Sequence, residues 1–384
     1  MPVAVVIPLF NHERYIADAL RSLLAQTRPP DRIVVIDDGS SDHSLEAARA
    51  VKDARITLLS QENAGAHHTL NRAIAAAGDA EFIGILNSDD LYEPERIEAC
   101  LRCLEENPNA AVVATRVRMI DGDGSALPET DPRARWLRSV WEARSGSLCA
   151  WLGVANFTKT TSNLFGRAAY FKEHPFRAYR YVHDYYFAVA AALEDRLAVA
   201  DRELLRYRVH GANTIKSGPA EQLPREVLRM NVDLLRGFAP ALAESPEVRA
   251  RLADYFRALS RNYADFRFEP FLHLAARQFA TLSDAETESL CESLDAARFP
   301  ELVAGKSGAL REQLAQAAYE RALANLGSSR WLALGRLLGA APRLLSDAPT
   351  AEARLAALRK ACAASAWFRL GRKLGFIYFD SQSP

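Results

Sequence analysis

No excess of charge marks this chain. Its 384 residues carry 48 Lys and Arg against 48 Asp and Glu, so no global field draws it to nucleic acid or to another acidic polymer. Cysteine is scarce and odd in number. Of the five, at positions 100, 103, 149, 291 and 362, Cys100 and Cys103 fall within a helical pattern without a second Cys pair or a neighbouring His. That arrangement argues against zinc and fits a reducing compartment. Apolar runs of about 18 residues are absent, and "MPVAVVIPLFNH" enters a strand with no basic leader or cleavage site. These absences predict a cytoplasmic protein with no membrane span. Two phosphate-binding signatures are missing as well: no G-x-G-x-x-G follows the first strand, and no G-x-x-x-x-G-K-[ST] occurs anywhere. Dinucleotide dehydrogenases and P-loop phosphotransferases lose weight accordingly. A sugar-phosphate nucleotidyltransferase would need a glycine- and arginine-rich loop where "PLFNHERYI" stands.

What is present is the composition of a globular protein long enough for two domains, with 49% hydrophobic and 25% charged residues. Strand-like runs at 3–7, 32–37, 56–59 and 82–86 alternate with helix-period segments at about 13–26, 43–52, 67–77 and 94–106. This is the pattern of a parallel sheet flanked by helices. Further strands are expected at 111–120 and 160–166, and a helix at 183–194. Sheets of this kind bind ligands beyond the carboxyl ends of their strands. The polar residues to inspect are therefore Pro8 to Asn11, Asp37 to Ser41, Asn63 to Gly65 and Asn87 to Asp90. Asp89 and Asp90 repel each other as neighbours, so they require a cation, donors or open water. Taken alone, "NSDD" is equally a solvated turn that caps the following helix.

Four stretches in order, "VVIPLFNHERYIADALRSLLAQT", "IVVIDDGSSDHS", "ENAGAHHTLNRAI" and "GILNSDDLYEP", resemble the family 2 glycosyltransferases. The likeness continues through "HDYYF" and "YRVHGANT", covering about residues 1–215. It implies an α/β GT-A fold, a Rossmann-like mixed sheet flanked by helices, and sugar transfer with inversion from a nucleoside diphosphate carrier, foremost a UDP-sugar. A departing diphosphate gathers negative charge that a divalent cation neutralises, and hard cations take oxygen ligands. By resemblance, Asn87 to Asp90 occupy the family's Asp-x-Asp position, with Mn²⁺ or Mg²⁺ on Asp90 and Asp89 nearer the sugar or ribose. Asn87 stands where the family often has Asp.

The remaining roles are carried over in the same way. Asp38, with Asp37 as second choice, faces the base. Backbone around Pro8 and Phe10, with Asn63 and Gly65, completes the nucleotide pocket. An acceptor hydroxyl needs a base in the transition state, and Asp184 takes that role, with His183 in place of the family's more common Glu. His210 approaches the metal or diphosphate, Arg208 contacts phosphate, and Ser162 and Asn163 line the acceptor side. His67, His68 and His174 read as structural residues.

From about residue 220 the pattern is helical. The expected division is a catalytic domain over 1–215, a helical domain over 216–327 and a basic amphipathic tail over 328–384. "SRWLALGRLLG" (329–339) and "SAWFRLGRKLG" (365–375) repeat one motif, and residues 326–384 hold nine Lys or Arg against three Asp or Glu. Such helices suit the surface of an anionic membrane or pack into the helical domain. The expected partners are thus a nucleoside diphosphate sugar, a glycan, lipid-linked glycan or protein acceptor, and an anionic membrane surface. Two alternatives are a catalytically silent relative that holds nucleotide or glycan, and a scaffold acting through its helices.

Overall fold

Alternation of apolar runs with helix-period segments builds the first half of one sheet. In the computed structural model, which describes residues 1–144, 146–211, 213, 222–262, 349 and 351–365, strands β1 (Val3–Leu9), β2 (Arg32–Asp38), β3 (Ile56–Gln61) and β4 (Phe82–Ile85) pair in parallel. β1, β2 and β4 are buried on both faces, as the near-continuous runs of Val and Ile require. Helices α1 (Ile16–Leu24), α2 (Ser44–Ala50), α3 (Ala66–Ala76) and α4 (Arg96–Glu106) alternate with the strands along the chain, with α3 packed on β1 and β2. In α1 the buried residues Ile16, Ala19, Leu20 and Leu23 repeat at helical spacing, while Asp18 and Arg21 pair on the outer face.

The second half mixes directions. β5 (Leu91–Tyr92), β6 (Val112–Ile120), β7 (Phe165–Arg167) and β8 (Leu197–Arg208) complete an eight-stranded sheet of order β3-β2-β1-β4-β7-β6-β8-β5. β7 runs antiparallel to both β4 and β6. Gly166 is what lets it fit: a Cβ there would lie 2.1 Å from the Ala111 carbonyl oxygen. The strand expected over 160–166 is shorter than its sequence suggests, because Thr161–Asn163 form a single 3-10 turn before the strand begins. Polar side chains cause the difference, since Thr160 accepts from the Ser162 N–H and so offers the backbone an alternative to the ladder.

Helices α5 (Pro132–Glu142), α6 (Leu148–Val154), α7 (Ala168–Glu173) and α8 (His183–Leu193) follow or separate these strands. Asp131 and Ser147 cap α5 and α6. α8 is buried along almost its whole circumference. α9 (Gln222–Gly237), α10 (Ala239–Glu244) and α11 (Pro246–Asn262) come next, with α9 and α11 packed on α8 and α11 also on α6. The α6–α11 approach is so close that a Cβ on Gly153 would sit 2.2 Å from the Tyr255 carbonyl oxygen.

The chain divides into two compact units, Met1–Phe266 and Arg267–Pro384. Helices over 222–262 therefore count with the sheet, whereas the sequence reading draws its boundary at 215/216. In the second unit the helix Ala351–Ala364 is described. The C-terminal repeat, apart from Ser365, lies outside the described residues, as does Cys291. Cys100, Cys103, Cys149 and Cys362 are free and buried. Among the described residues no helix is long and apolar enough to cross a membrane.

Candidate active site

The carboxyl ends of the central strands gather the polar residues, as the topology of such sheets requires. After β4 the chain turns through Asn87–Asp90, closed by a hydrogen bond from Asp90 N to Asn87 O of 3.1 Å. The turn aims its side chains in different directions. The Asn87 amide donates to Thr160 Oγ1 and accepts from Thr161 Oγ1, both at 2.8 Å. A carboxylate at this position could accept but not donate, which accounts for Asn where the family often has Asp.

Asp90 is completely buried. Its Oδ1 accepts from the Arg208 N–H at 2.9 Å and its Oδ2 from the Ser162 hydroxyl at 2.6 Å. Burial, with the Asp89 carboxylate beside it, pushes its pKa well up. Asp89 turns the other way, and its Oδ2 lies 3.0 Å from His210 Nε2 and 3.9 Å from His12 Nε2. Burial would raise Asp89 too, but the hydrogen bond from His210 and the nearness of both imidazoles hold it below the usual carboxylate range. The ligand atoms of His12, Asp89 and His210 all fall within 4.8 Å of one another, close enough to share one metal ion. The sequence reading assigns the metal to Asp90, whose two oxygens here accept from Arg208 and Ser162; the carboxylate that joins this cluster, together with His210, is that of Asp89.

Three further expectations change. Arg208 is only 2% exposed, and its guanidinium donates to the carbonyls of Asp89, Asp121 and Gly122. It ties β8 to the site loops and does not reach out for a phosphate. Ser162 and Asn163, expected on the acceptor side, are completely buried. Ser162 accepts from the Asn87 N–H while donating to Asp90, and Asn163 bonds Thr115, Thr158 and Arg96. Polar residues in a sequence do not announce which face they take.

At the end of β2 the two carboxylates also differ. Asp38 accepts from the N–H groups of Ala64 and Gly65 and from Gln61 Nε2, pinning the loop before α3. Asp37 keeps its Oδ1 buried without a hydrogen-bond partner, the other oxygen being 3.4 Å from Ser60 Oγ. Gly65 has a φ of 88°, which suits glycine, and its N–H is one of those that Asp38 holds. Asn63 is exposed in the same loop. Pro8 lies in β1 opposite Ile36, and Phe10, just beyond the strand, is 45% exposed.

On the other side of the sheet's end, Asp184 begins α8 and is 6% exposed, with Oδ2 accepting from Asn156 Nδ2 at 3.1 Å. His183 beside it meets the Tyr179 carbonyl through Nδ1. Lys159 stands nearby with φ of 69°, in a turn closed by Thr160 N donating to Thr158 O at 2.8 Å. That is a classical γ-turn, which is rare and strained for a residue other than glycine. Its ammonium lies 5.0 Å from the Trp136 ring centroid and 5.7 Å from that of Tyr207. Burial lowers the Lys159 pKa, and the Asp184 carboxylate works against that fall. Tyr207 is pushed up by burial and then by Asp90, Asp89 and Asp184. His12, Asn156, Lys159 and Tyr207 went unnoticed in the sequence. His12 stood in a quoted motif, but its hydrogen-bond partner Ser88 is 76 residues away.

Residues 4–180 match the model of the family described as Glycosyl transferase family 2. An uncharacterized glycosyltransferase of Nostoc sp. is 25% identical over 235 residues, covering 59% of this chain and 70% of that protein. The glycosyltransferase GlyG of Streptococcus pneumoniae is 32% identical over 126 residues, which is 32% of this chain and 42% of GlyG. Among solved structures, S. aureus TarS 1–349 in complex with UDP-GlcNAc is similar with a TM-score of 0.53 and 17% identity, covering 84% of this chain and 92% of that one. At that identity the likeness is one of fold: the mixed sheet with flanking helices is a GT-A fold.

Proposed function

Residues 4–180 are a glycosyl transferase family 2 domain, and on that premise we propose that the chain moves a sugar, with inversion, from a nucleoside diphosphate to an acceptor hydroxyl. The observation that carries this reading is the cluster at the strand ends, where the Asp89 carboxylate meets His210. A donor set of one carboxylate oxygen and imidazole nitrogen suits a divalent cation. When bound, the cation would supply positive charge against the departing diphosphate. Asp89 and His210 are the residues that would hold it. Asp90, Arg208 and Ser162 keep the Asp89 loop in place from beneath.

The exposed Phe10 ring offers a face for a base, and the Asp37–Asp38 pair offers acceptors for its edge N–H. UDP is the first nucleotide to test, since the similarly folded TarS is described with UDP-GlcNAc. Asp184 serves as the base: it takes the acceptor proton as the acceptor oxygen attacks the anomeric carbon and the bond to the diphosphate breaks. Asn156 fixes the carboxylate's orientation for that task. The acceptor is a hydroxyl of a glycan, lipid-linked glycan or protein, and the basic C-terminal segment meets an anionic membrane surface.

Asp184→Asn tests the assignment. It keeps the bond to Asn156 available and should leave the UDP affinity measured with Mn²⁺ nearly unchanged while lowering turnover about a hundredfold. Loss of nucleotide affinity with turnover retained would remove Asp184 from the role. NMR of the product's anomeric proton would report inversion or retention directly.

A further inference from the structure

Asp89 has a second imidazole neighbour that the reading above does not require. His12 lies in the loop after β1, with Nδ1 2.7 Å from Ser88 Oγ. In the tautomer whose Nδ1–H donates to that hydroxyl, the Nε2 lone pair is free for a cation beside Asp89 Oδ2, 3.9 Å away. His210 Nε2 approaches the same oxygen at 3.0 Å. The backbone holds His12 as well, because its N–H donates to Ser44 Oγ at 2.7 Å. Tyr15 packs on both imidazoles, with ring centroids 5.8 and 5.0 Å away. Both imidazoles line one cavity of about 440 Å³, which gives them access to solvent.

We infer, building on the metal-dependent reading above, that His12 is a third protein ligand and that His12, Asp89 and His210 select an imidazole-preferring cation such as Mn²⁺ or Co²⁺ over Mg²⁺. Two nitrogens and one carboxylate oxygen form a donor set that Mg²⁺ disfavours, since it keeps oxygen ligands and dehydrates reluctantly. Imidazole strengthens binding along the series from Mn²⁺ to Co²⁺. Three protein ligands also leave positions for diphosphate oxygens and water. Had His12 only a packing role against Tyr15 and Ser88, its removal would affect all cations alike.

The experiment is calorimetric titration of the full chain, in the presence of UDP, with Co²⁺, Mn²⁺ and Mg²⁺ for the natural sequence and for His12→Ala. The natural sequence should bind Co²⁺ and Mn²⁺ more tightly than Mg²⁺. His12→Ala should weaken Co²⁺ and Mn²⁺ about tenfold or more while Mg²⁺ changes by about twofold or less, which narrows the preference. A second measurement does not depend on the variant folding: in ¹⁵N-histidine NMR with Zn²⁺ and UDP, Nε2 of both His12 and His210 should move to the metal-bound range. Equal losses for Co²⁺ and Mg²⁺, or a metal-free His12 ring beside a bound His210, would overturn the inference and leave metal dependence standing. No binding of any cation by the natural sequence with UDP would overturn both.

Discussion

Asp89 and Asp90 are adjacent in sequence, yet alanine at each should fail in different ways. Removing the Asp90 carboxylate leaves the buried Arg208 N–H and Ser162 hydroxyl without their acceptor. Each such loss costs about 1–3 kcal/mol, so with the small cavity the total is about 3–5 kcal/mol. In a unit of this size that corresponds to a fall in Tm of roughly 10 °C. Asp90→Asn should be milder, at about 1 kcal/mol. Burial already favours the neutral acid at this position, and an amide can place one acceptor toward Arg208 and one donor toward Ser162. Asp89→Ala gives up the bond to His210 at a partly open site, about 1 kcal/mol, but should abolish Mn²⁺-dependent UDP affinity. The assay pairs thermal unfolding with calorimetric titration of UDP with and without Mn²⁺. Should Asp90→Ala keep the natural Tm and lose only metal-dependent affinity, the division of labour drawn from the hydrogen bonds is wrong.

Gly166→Ala should destabilise by about 3 kcal/mol or more, because its Cβ would meet backbone atoms of Ala111 and Val112 in the middle of the sheet; a soluble variant with unchanged Tm would contradict that packing. Lys159→Gly should stabilise slightly, by about 1 kcal/mol of relieved γ-turn strain net of glycine's greater unfolded-state entropy, and so raise Tm; a lower Tm would show that Lys159's contacts outweigh its strain. Burial would raise the pKa of Asp42, but donors from Ser44 and the Glu13 N–H hold it below its usual value. A lowered folded pKa contributes stability that is present above about pH 4 and disappears as pH falls through the folded value. The Tm gap between the natural sequence and Asp42→Asn should therefore be widest near neutrality and close as the pH falls through the lowered folded value. A gap independent of pH would assign the effect to packing.

The order of elements was legible in the chain itself, because apolar runs of four to seven residues and helical spacing dictate strand and helix locally. β1 to β4 and α1 to α4 lie where periodicity puts them, within a few residues. The polar residues that the sequence sets at the strand ends gather there as well, and the candidate site is built from some of them. The two-residue β5 and the split of 160–166 into a turn and a short strand were not legible, for these depend on partners distant in sequence. The same limit governs the side chains. From the sequence, family resemblance alone set the metal on Asp90 and the sugar near Asp89, and put Asp38 ahead of Asp37 at the base. Only the fold brings Arg208 and Ser162 under Asp90, His210 and His12 to Asp89, and the Ala64 and Gly65 N–H groups to Asp38. Residue type and strand register fix which groups come to the end of the sheet; which of two neighbouring carboxylates faces a ligand depends on long-range hydrogen-bond donors, and those are assembled only when the chain closes.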